Sequence, residues 1–316
     1  GTTSGPTTRA PDGGLAGVSS PQTPAPLFLP LRKPHSMTRP SLFSLTLSLP
    51  LLIWQLAFFA VPLLFLIAIS FWTVRNFQMM PDLNFGNWER ILTRGTFWDA
   101  YARTALLATA SAVLTSAIAF PAAYAISFKL SERVKQWVIF VLIIPFFTSY
   151  LVRIYALQVF LSDGGIINAA LGMLGIGPFG MLNTTFGTLV GMVTLCLPLV
   201  ILLQVFSLNF VNRDFVEAAH NLRCGRLRTV FSVIVPSARV GLVIAALFAF
   251  ILSFGDFVSP LYLGGGNPPT LSILITDITK SGQQWPRAAV VALMMIGTLL
   301  TVAFAAITYA YKERGK

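Results

Sequence analysis

Six stretches of this sequence are long enough, apolar enough and sufficiently free of charge to cross a bilayer as helices, which removes most soluble folds from consideration. A bilayer core about 30 Å thick requires about 20 apolar helical residues. Between Arg39 and Arg75 lie 35 residues without a charge, holding a first span near 48–73. That run is too long for a signal-peptide core, and no clear cleavage signal follows it. The second span fills the uncharged interval up to Lys129, near 104–128. A third lies near 136–160 with Arg153 inside it, and a fourth near 184–208. The fifth, near 238–262, contains Asp256, and the sixth runs near 288–311. Pro50, Pro62, Pro121, Pro145 and Pro198 fall within these spans, where neighbouring helices can satisfy the carbonyls a proline frees. Between the third and fourth spans, the uneven pattern of "SDGGIINAALGMLGIGPFG" predicts short helices lying at the membrane surface.

Charge content agrees. Only 10% of the residues are charged, against about a quarter in soluble domains. The formal net charge of +11 does not indicate nucleic acid, because the basic residues sit in short loops and form no extended face. Cys196 lies in an apolar run and Cys224 in a basic loop, so no disulfide framework is expected. His35 and His220 alone suggest no metal site. Residues 1–40, rich in Gly, Pro, Ser and Thr, read as a disordered N-terminal extension ahead of a transmembrane domain over 41–316. An upstream extension before a start at Met37 is the preferred account of that segment, with a plastid-type targeting sequence as the other.

Six spans place both termini on one side, and the distribution of Lys and Arg says which. With the termini inside, the cytoplasmic segments hold fifteen basic residues and the external loops six. Both termini are therefore expected in the cytoplasm.

The segment 209–236, "NFVNRDFVEAAHNLRCGRLRTVFSVIVP", carries the functional expectation. Asp214 followed by Glu217 has the form of a capping box, so a helix is expected from about Phe215. Gly225 is expected to supply a turn, and a second amphipathic segment runs from Arg226 towards Pro236. Two short helices joined at a glycine would make a compact docking knob, rather than a merely solvated linker.

At this point the sequence resembles a family. Glu217, Ala218 and Ala219, with Pro236 nineteen residues after the Glu, are similar to the EAA loop of type I ABC importer permeases. That resemblance implies an all-α integral membrane fold of six transmembrane helices with cytoplasmic coupling helices. It also implies that the loop sits in a cleft of a cytosolic ATPase, with Ala218 and Ala219 allowing close approach. Glu217 would cap its helix or pair with a basic residue of the ATPase. The chain departs from the family at one point. The family glycine six residues after the Glu is Arg223 here, and Gly225 comes two later, so a reshaped turn is expected. "FFTSYLVRIYALQVFLSDGGIINAAL" from Phe146 and "SFGDFVSPLYLGGGN" from Ser253 resemble the permeases of spermidine/putrescine importers and related systems.

No GxxxxGK[ST] loop occurs, so the resemblance implies that ATP and Mg2+ belong to a separate ATPase dimer. It further implies a second permease subunit, a periplasmic solute-binding protein and a bacterial inner-membrane location. No cofactor is expected in this chain. ATP would draw the ATPases together and carry the docked loops with them, switching the permease pair between inward- and outward-facing states.

Arg153 and Asp256 are the conspicuous charges inside the spans, and such groups usually face protein or a watery path. At 1.5 Å per residue they lie roughly 26 and roughly 27 Å up their spans from the cytoplasmic side. They are expected to line the external half of the solute path and to pair, or else to snorkel to the outer headgroups. Tyr150 and Phe254 are candidate pathway aromatics, where cation–π contact suits polyamines; packing is their ordinary role. Gly187-x-x-x-Gly191 predicts close helix packing. A gradient-driven transporter or channel is the second reading, opposed by the docking knob and by the lack of an obvious inverted repeat. A membrane enzyme is the third, and no HExxH or GxSxG set supports it.

Overall fold

The computed structural model describes residue 5 and residues 42–312, so the expectation for residues 1–40 falls almost wholly outside the described residues. Contacts divide the chain into two units, Gly1–Trp54 and Gln55–Lys316. The first is helical from Leu42, within α1 (Leu42–Gln55).

The second unit opens with a π turn and α2 (Val61–Ser70), then a hairpin of β1 (Thr73–Arg75) and β2 (Gln78–Met80). Next come α3 (Gly86–Leu92), α4 (Gly95–Phe128), α5 (Glu132–Ile143), α6 (Tyr150–Leu161) and α7 (Ile166–Met173). After α8 (Thr185–Asn209) follow α9 (Arg213–Asn221), α10 (Arg226–Thr229) and α11 (Val235–Phe254). The chain closes with α12 (Val258–Tyr262), α13 (Leu271–Lys280) and α14 (Trp285–Tyr311). Among the described residues, six helical runs have the length and composition to cross a membrane: Leu49–Ser70, Gly95–Phe128, Tyr150–Met173, Thr185–Asn209, Arg226–Phe254 and Trp285–Tyr311.

Three of these helices, α4, α8 and α11, form the centre. Their shared core is built largely from small side chains, including Ala112, Ala119, Ala123, Cys196, Ala238, Ala245 and Ala249. Lipid tails are as apolar as leucine, so helices in a membrane associate by close packing and polar links rather than by expelling water. The links are present: Ser253 Oγ donates to Ser111 Oγ at 2.8 Å, and Ser207 Oγ donates to the Ala238 carbonyl at 3.0 Å. Both cysteines are free thiols, Cys196 buried in this core. Large apolar side chains such as Leu106, Phe206, Leu300 and Phe304 point outwards with most of their surface exposed. A soluble protein seldom tolerates so much exposed apolar surface, whereas lipid is its natural solvent.

The glycine pair expected to pack closely does so, against a short element rather than a full span. A Cβ on Gly191 would stand 2.5 Å from Ser259 Oγ, and one on Gly187 would stand 2.8 Å from the Leu263 carbonyl oxygen. Any larger residue would push α12 off α8.

Two expected spans need correction. No single helix covers 136–160: α5 ends at Ile143, a 3-10 turn carries Ile144–Phe147, and α6 starts afresh at Tyr150. Pro145 lacks an N–H and forces the break, so a depth for Arg153 measured along one helix does not apply. The fifth span is displaced from 238–262. Its helix is continuous from Arg226, through a π segment at Val230–Ile234, and stops at Phe254. Asp256 therefore lies beyond the helix end. The second helix begins at Gly95, nine residues before the expected 104. The hairpin at 73–80 was not foreseen. Its two-residue turn holds Asn76 and Phe77 at φ of 51° and 60°, the conformation that matches the twist of paired strands.

Candidate functional site

Two sets of sequence-singled residues can be placed. The first is the loop between α8 and α11. Asn212 sits in extended conformation and its side-chain oxygen accepts from the Asp214 N–H at 2.9 Å, capping α9. The expected box with Asp214 as cap is therefore corrected by two residues. Asp214 instead occupies the first turn, where a carboxylate suits the helix dipole.

The helix ends in a Schellman arrangement. The Arg223 N–H donates to the His220 carbonyl at 2.9 Å and the Cys224 N–H to the Ala219 carbonyl at 3.0 Å, the paired bonds that close a helix through a left-handed residue. That residue is Arg223, at φ +55°. The turn is thus not reshaped by the missing glycine, since Arg223 adopts the glycine-like conformation itself. Gly225, expected to make the turn, has an ordinary φ of −63° and begins α10. A second correction follows. The segment after Gly225 is no separate short helix but the projecting end of the α11 run.

The result is a helical hairpin with two distinct faces. Ala219 is buried and Val216 packs against the main core. Thr229 Oγ1 donates to the Gly225 carbonyl at 3.2 Å, closing the base of the turn. Glu217 and Ala218 are exposed. Around them Phe215, Leu222, Leu227 and Phe231 are also exposed, with Leu222 at 84% and Leu227 at 76%. Pro236 is the second residue of α11 but lies inside the continuous run Arg226–Phe254, directly after the π segment Val230–Ile234, where its missing N–H leaves the helical ladder one donor short.

The second set gathers where two helices break. Tyr150 begins α6 just after the 3-10 turn, and Asp256 follows the end of α11. Tyr150 Oη donates to Asp256 Oδ2 at 2.9 Å and lies 2.6 Å from Ser259 Oγ. The other carboxylate oxygen accepts from the N–H groups of Val258 at 2.9 Å and Ser259 at 3.3 Å. Asp256, 7% exposed, thus caps α12 while tying the two breaks together through neutral donors. It does not pair with Arg153. The Arg153 guanidinium carbon stands 5.7 Å from the Tyr150 ring centroid, and its Nε is buried without a hydrogen-bond partner. Phe254 has no exposed surface and stacks on Phe250 at 5.4 Å.

Sequence reasoning passed over Ser259 and Asn212. Each has a local signature: a serine three residues after an aspartate, and an asparagine immediately before a helix.

A many-spanned helical bundle with broken helices and a protruding helical hairpin is the architecture of a membrane transport subunit. The model of the binding-protein-dependent transport system inner membrane component family matches residues 116–314, more than half of the chain, and the chain belongs to that family. It is accordingly a multi-pass inner-membrane permease of the ABC importer class, a transport component rather than the ATPase, and the gradient-driven and enzymatic readings fall away.

The spermidine/putrescine transport system permease protein PotB of Haemophilus influenzae is 28% identical over 273 residues, covering 83% of this chain and 91% of that protein. The inner membrane ABC transporter permease protein YdcU of Escherichia coli K12 is 30% identical over 233 residues, 68% of this chain and 73% of that protein. A crystal structure of a bacterial ABC transporter importing the acidic polysaccharide alginate matches with a TM-score of 0.70. It is 15% identical and covers 86% of this chain and 96% of that one; that likeness concerns the fold.

Proposed function

We propose that this permease imports a polyamine or similar small cationic solute, driven by a cytosolic ATPase dimer that grips the hairpin at 213–231. The observation that carries the coupling is the exposed ring of Phe215, Leu222, Leu227 and Phe231 around Glu217 and Ala218. Phe215 and Leu222 lie outside the spans and Leu227 and Phe231 at the projecting start of the fifth; exposed apolar side chains so placed fit an interface, and Ala218 offers a flat surface for close approach. Both termini then lie in the cytoplasm, together with the hairpin. A second permease subunit and a periplasmic solute-binding protein complete the assembly, with ATP and Mg2+ held by the ATPase.

Similarity to the spermidine/putrescine permeases over 83% of the chain favours the solute class. The residue chemistry is compatible. Asp256 gives the path an acidic point suited to an ammonium group and Tyr150 an aromatic one, whereas Arg153, set against the Tyr150 ring and not paired with Asp256, disfavours a cation there unless it moves away; Phe254 packs behind. Since Asp256 is only 7% exposed, this point opens to solute when the two helix breaks part during the switch between states.

The complete assembly, reconstituted with its binding protein, is the test. Spermidine or putrescine is expected to stimulate ATP hydrolysis and to accumulate inside vesicles only with ATP. Stimulation by an unrelated solute class, with none by polyamines, overturns the solute assignment. Accumulation without nucleotide overturns the coupling.

A further inference from the structure

We infer that Ser259 is a positioning residue for the solute path: its hydroxyl turns the Tyr150 hydrogen onto the one Asp256 oxygen that an ammonium group would take. The inference rests on the place given to Asp256 in the path above, and it names the residue that governs access to that carboxylate. Ser259 itself meets no solute, since it has no exposed surface.

The two oxygens of Asp256 have different duties. Oδ1 accepts from the N–H groups of Val258 and Ser259, two and three residues on. These bonds belong to the first turn of α12 and stay with the carboxylate wherever α12 goes. Oδ2 accepts only from Tyr150, at 2.9 Å, and Tyr150 lies on another element, at the start of α6. A cation reaching Asp256 therefore has to replace the tyrosine hydroxyl at Oδ2 rather than a backbone group. That hydroxyl is a tethered competitor, and Asp256 binds an ammonium only as often as Tyr150 lets go.

Hydrogen counting fixes the direction of the next bond. A phenol carries one hydrogen, and that of Tyr150 is given to Asp256. The contact of 2.6 Å between Tyr150 Oη and Ser259 Oγ is then a donation from the serine. Among the described residues it is the only hydrogen bond that Ser259 Oγ makes. Donation into a phenol oxygen strengthens the bond that the phenol makes in turn. Ser259 thus both orients Tyr150 and tightens its hold on Asp256.

Ser259 is held in place from two sides. Its own N–H is bonded to Asp256, which fixes it in the first turn of α12. Opposite stands α8, where a Cβ on Gly191 would lie 2.5 Å from Ser259 Oγ and 2.7 Å from Ser259 Cβ. The serine fills the notch left by that glycine, with its hydroxyl against Tyr150. Arg153 follows Tyr150 by one turn of α6 and stands against the same ring. When α6 parts from α12, hydroxyl and guanidinium withdraw from Asp256 together, and the carboxylate is left to the solute.

The test is equilibrium dialysis of spermidine against the detergent-purified assembly without its solute-binding protein, whose own affinity would hide that of the permease. Y150F removes the competing hydroxyl and keeps the ring, and is expected to lower the dissociation constant about tenfold. S259A is expected to lower it about threefold. Added to Y150F, S259A is expected to change nothing further, because the serine acts only through the tyrosine hydroxyl.

A merely structural role at the contact of α8 and α12 would give the same change in both backgrounds. That result, or binding unchanged by S259A, overturns the inference while leaving Asp256 in the path. S259G removes the same hydroxyl and closes the cycle should S259A fail to assemble. D256N tests the underlying reading separately and is expected to abolish binding. Binding untouched by D256N, or absent from every protein, removes Asp256 from the path and the inference with it.

Discussion

At the residue scale the most informative position is Arg223. A left-handed backbone costs a residue with a side chain about 1–2 kcal/mol, and the Schellman bonds from Arg223 and Cys224 hold it there. Arg223→Gly is therefore expected to raise the stability of the purified protein by about 1 kcal/mol, read from its thermal unfolding, without loss of assembly. Asp256 sets a second expectation. Its carboxylate accepts three hydrogen bonds, so Asp256→Ala is expected to cost about 1–3 kcal/mol by leaving donors unmet. Asp256→Asn keeps an acceptor and is expected to retain most of that stability while lowering polyamine uptake. Equal stability of the alanine and wild-type proteins would deny the capping role. Gly191→Val belongs here too. Its new side chain would enter the space of Ser259 and Leu263, and a loss of about 1–3 kcal/mol or more is expected from overpacking.

At the scale of elements, charge-free length was a reliable guide and helix continuity was not. The fourth and sixth spans fall within a few residues of expectation, Thr185–Asn209 and Trp285–Tyr311: Arg287 and Lys312 flank the sixth, and the fourth runs from the Thr184 cap to just before Arg213. The third and fifth were misplaced because hydropathy does not register breaks. Pro145 interrupts one, and Asp256 terminates the other by capping the next helix. Both breaks come together at Tyr150, a tertiary contact that no local pattern encodes. The helix after Asn212 was legible from its polar residues, but the turn falls at Arg223 rather than Gly225 and the segment after it continues into α11. The left-handed residue was not legible, because arginine gives no sign of a positive φ. Glu217→Lys, on the exposed face of α9, is expected to abolish co-purification of the ATPase while expression and melting stay unchanged. Intact co-purification would remove Glu217 from the docking surface.

For the whole molecule, the arrangement is a compact three-helix centre of α4, α8 and α11, from which one helix runs out beyond the core as α10. The helix from Arg226 to Phe254 is unbroken by anything but a π segment. It starts at the hairpin and ends two residues before Asp256, so under the proposed mechanism it is the element that would join the docked hairpin to the polar link. Substrate identity was the least legible property, since one acidic residue and one tyrosine suit many cations. The coupling claim is tested most directly by a photo-crosslinking residue placed at Leu227 in native membranes. A cross-link to the ATPase subunit is predicted, together with protection of that position from membrane-impermeant reagents added outside. Labelling from the outside, or failure to capture the ATPase in an assembly that still transports, would contradict it.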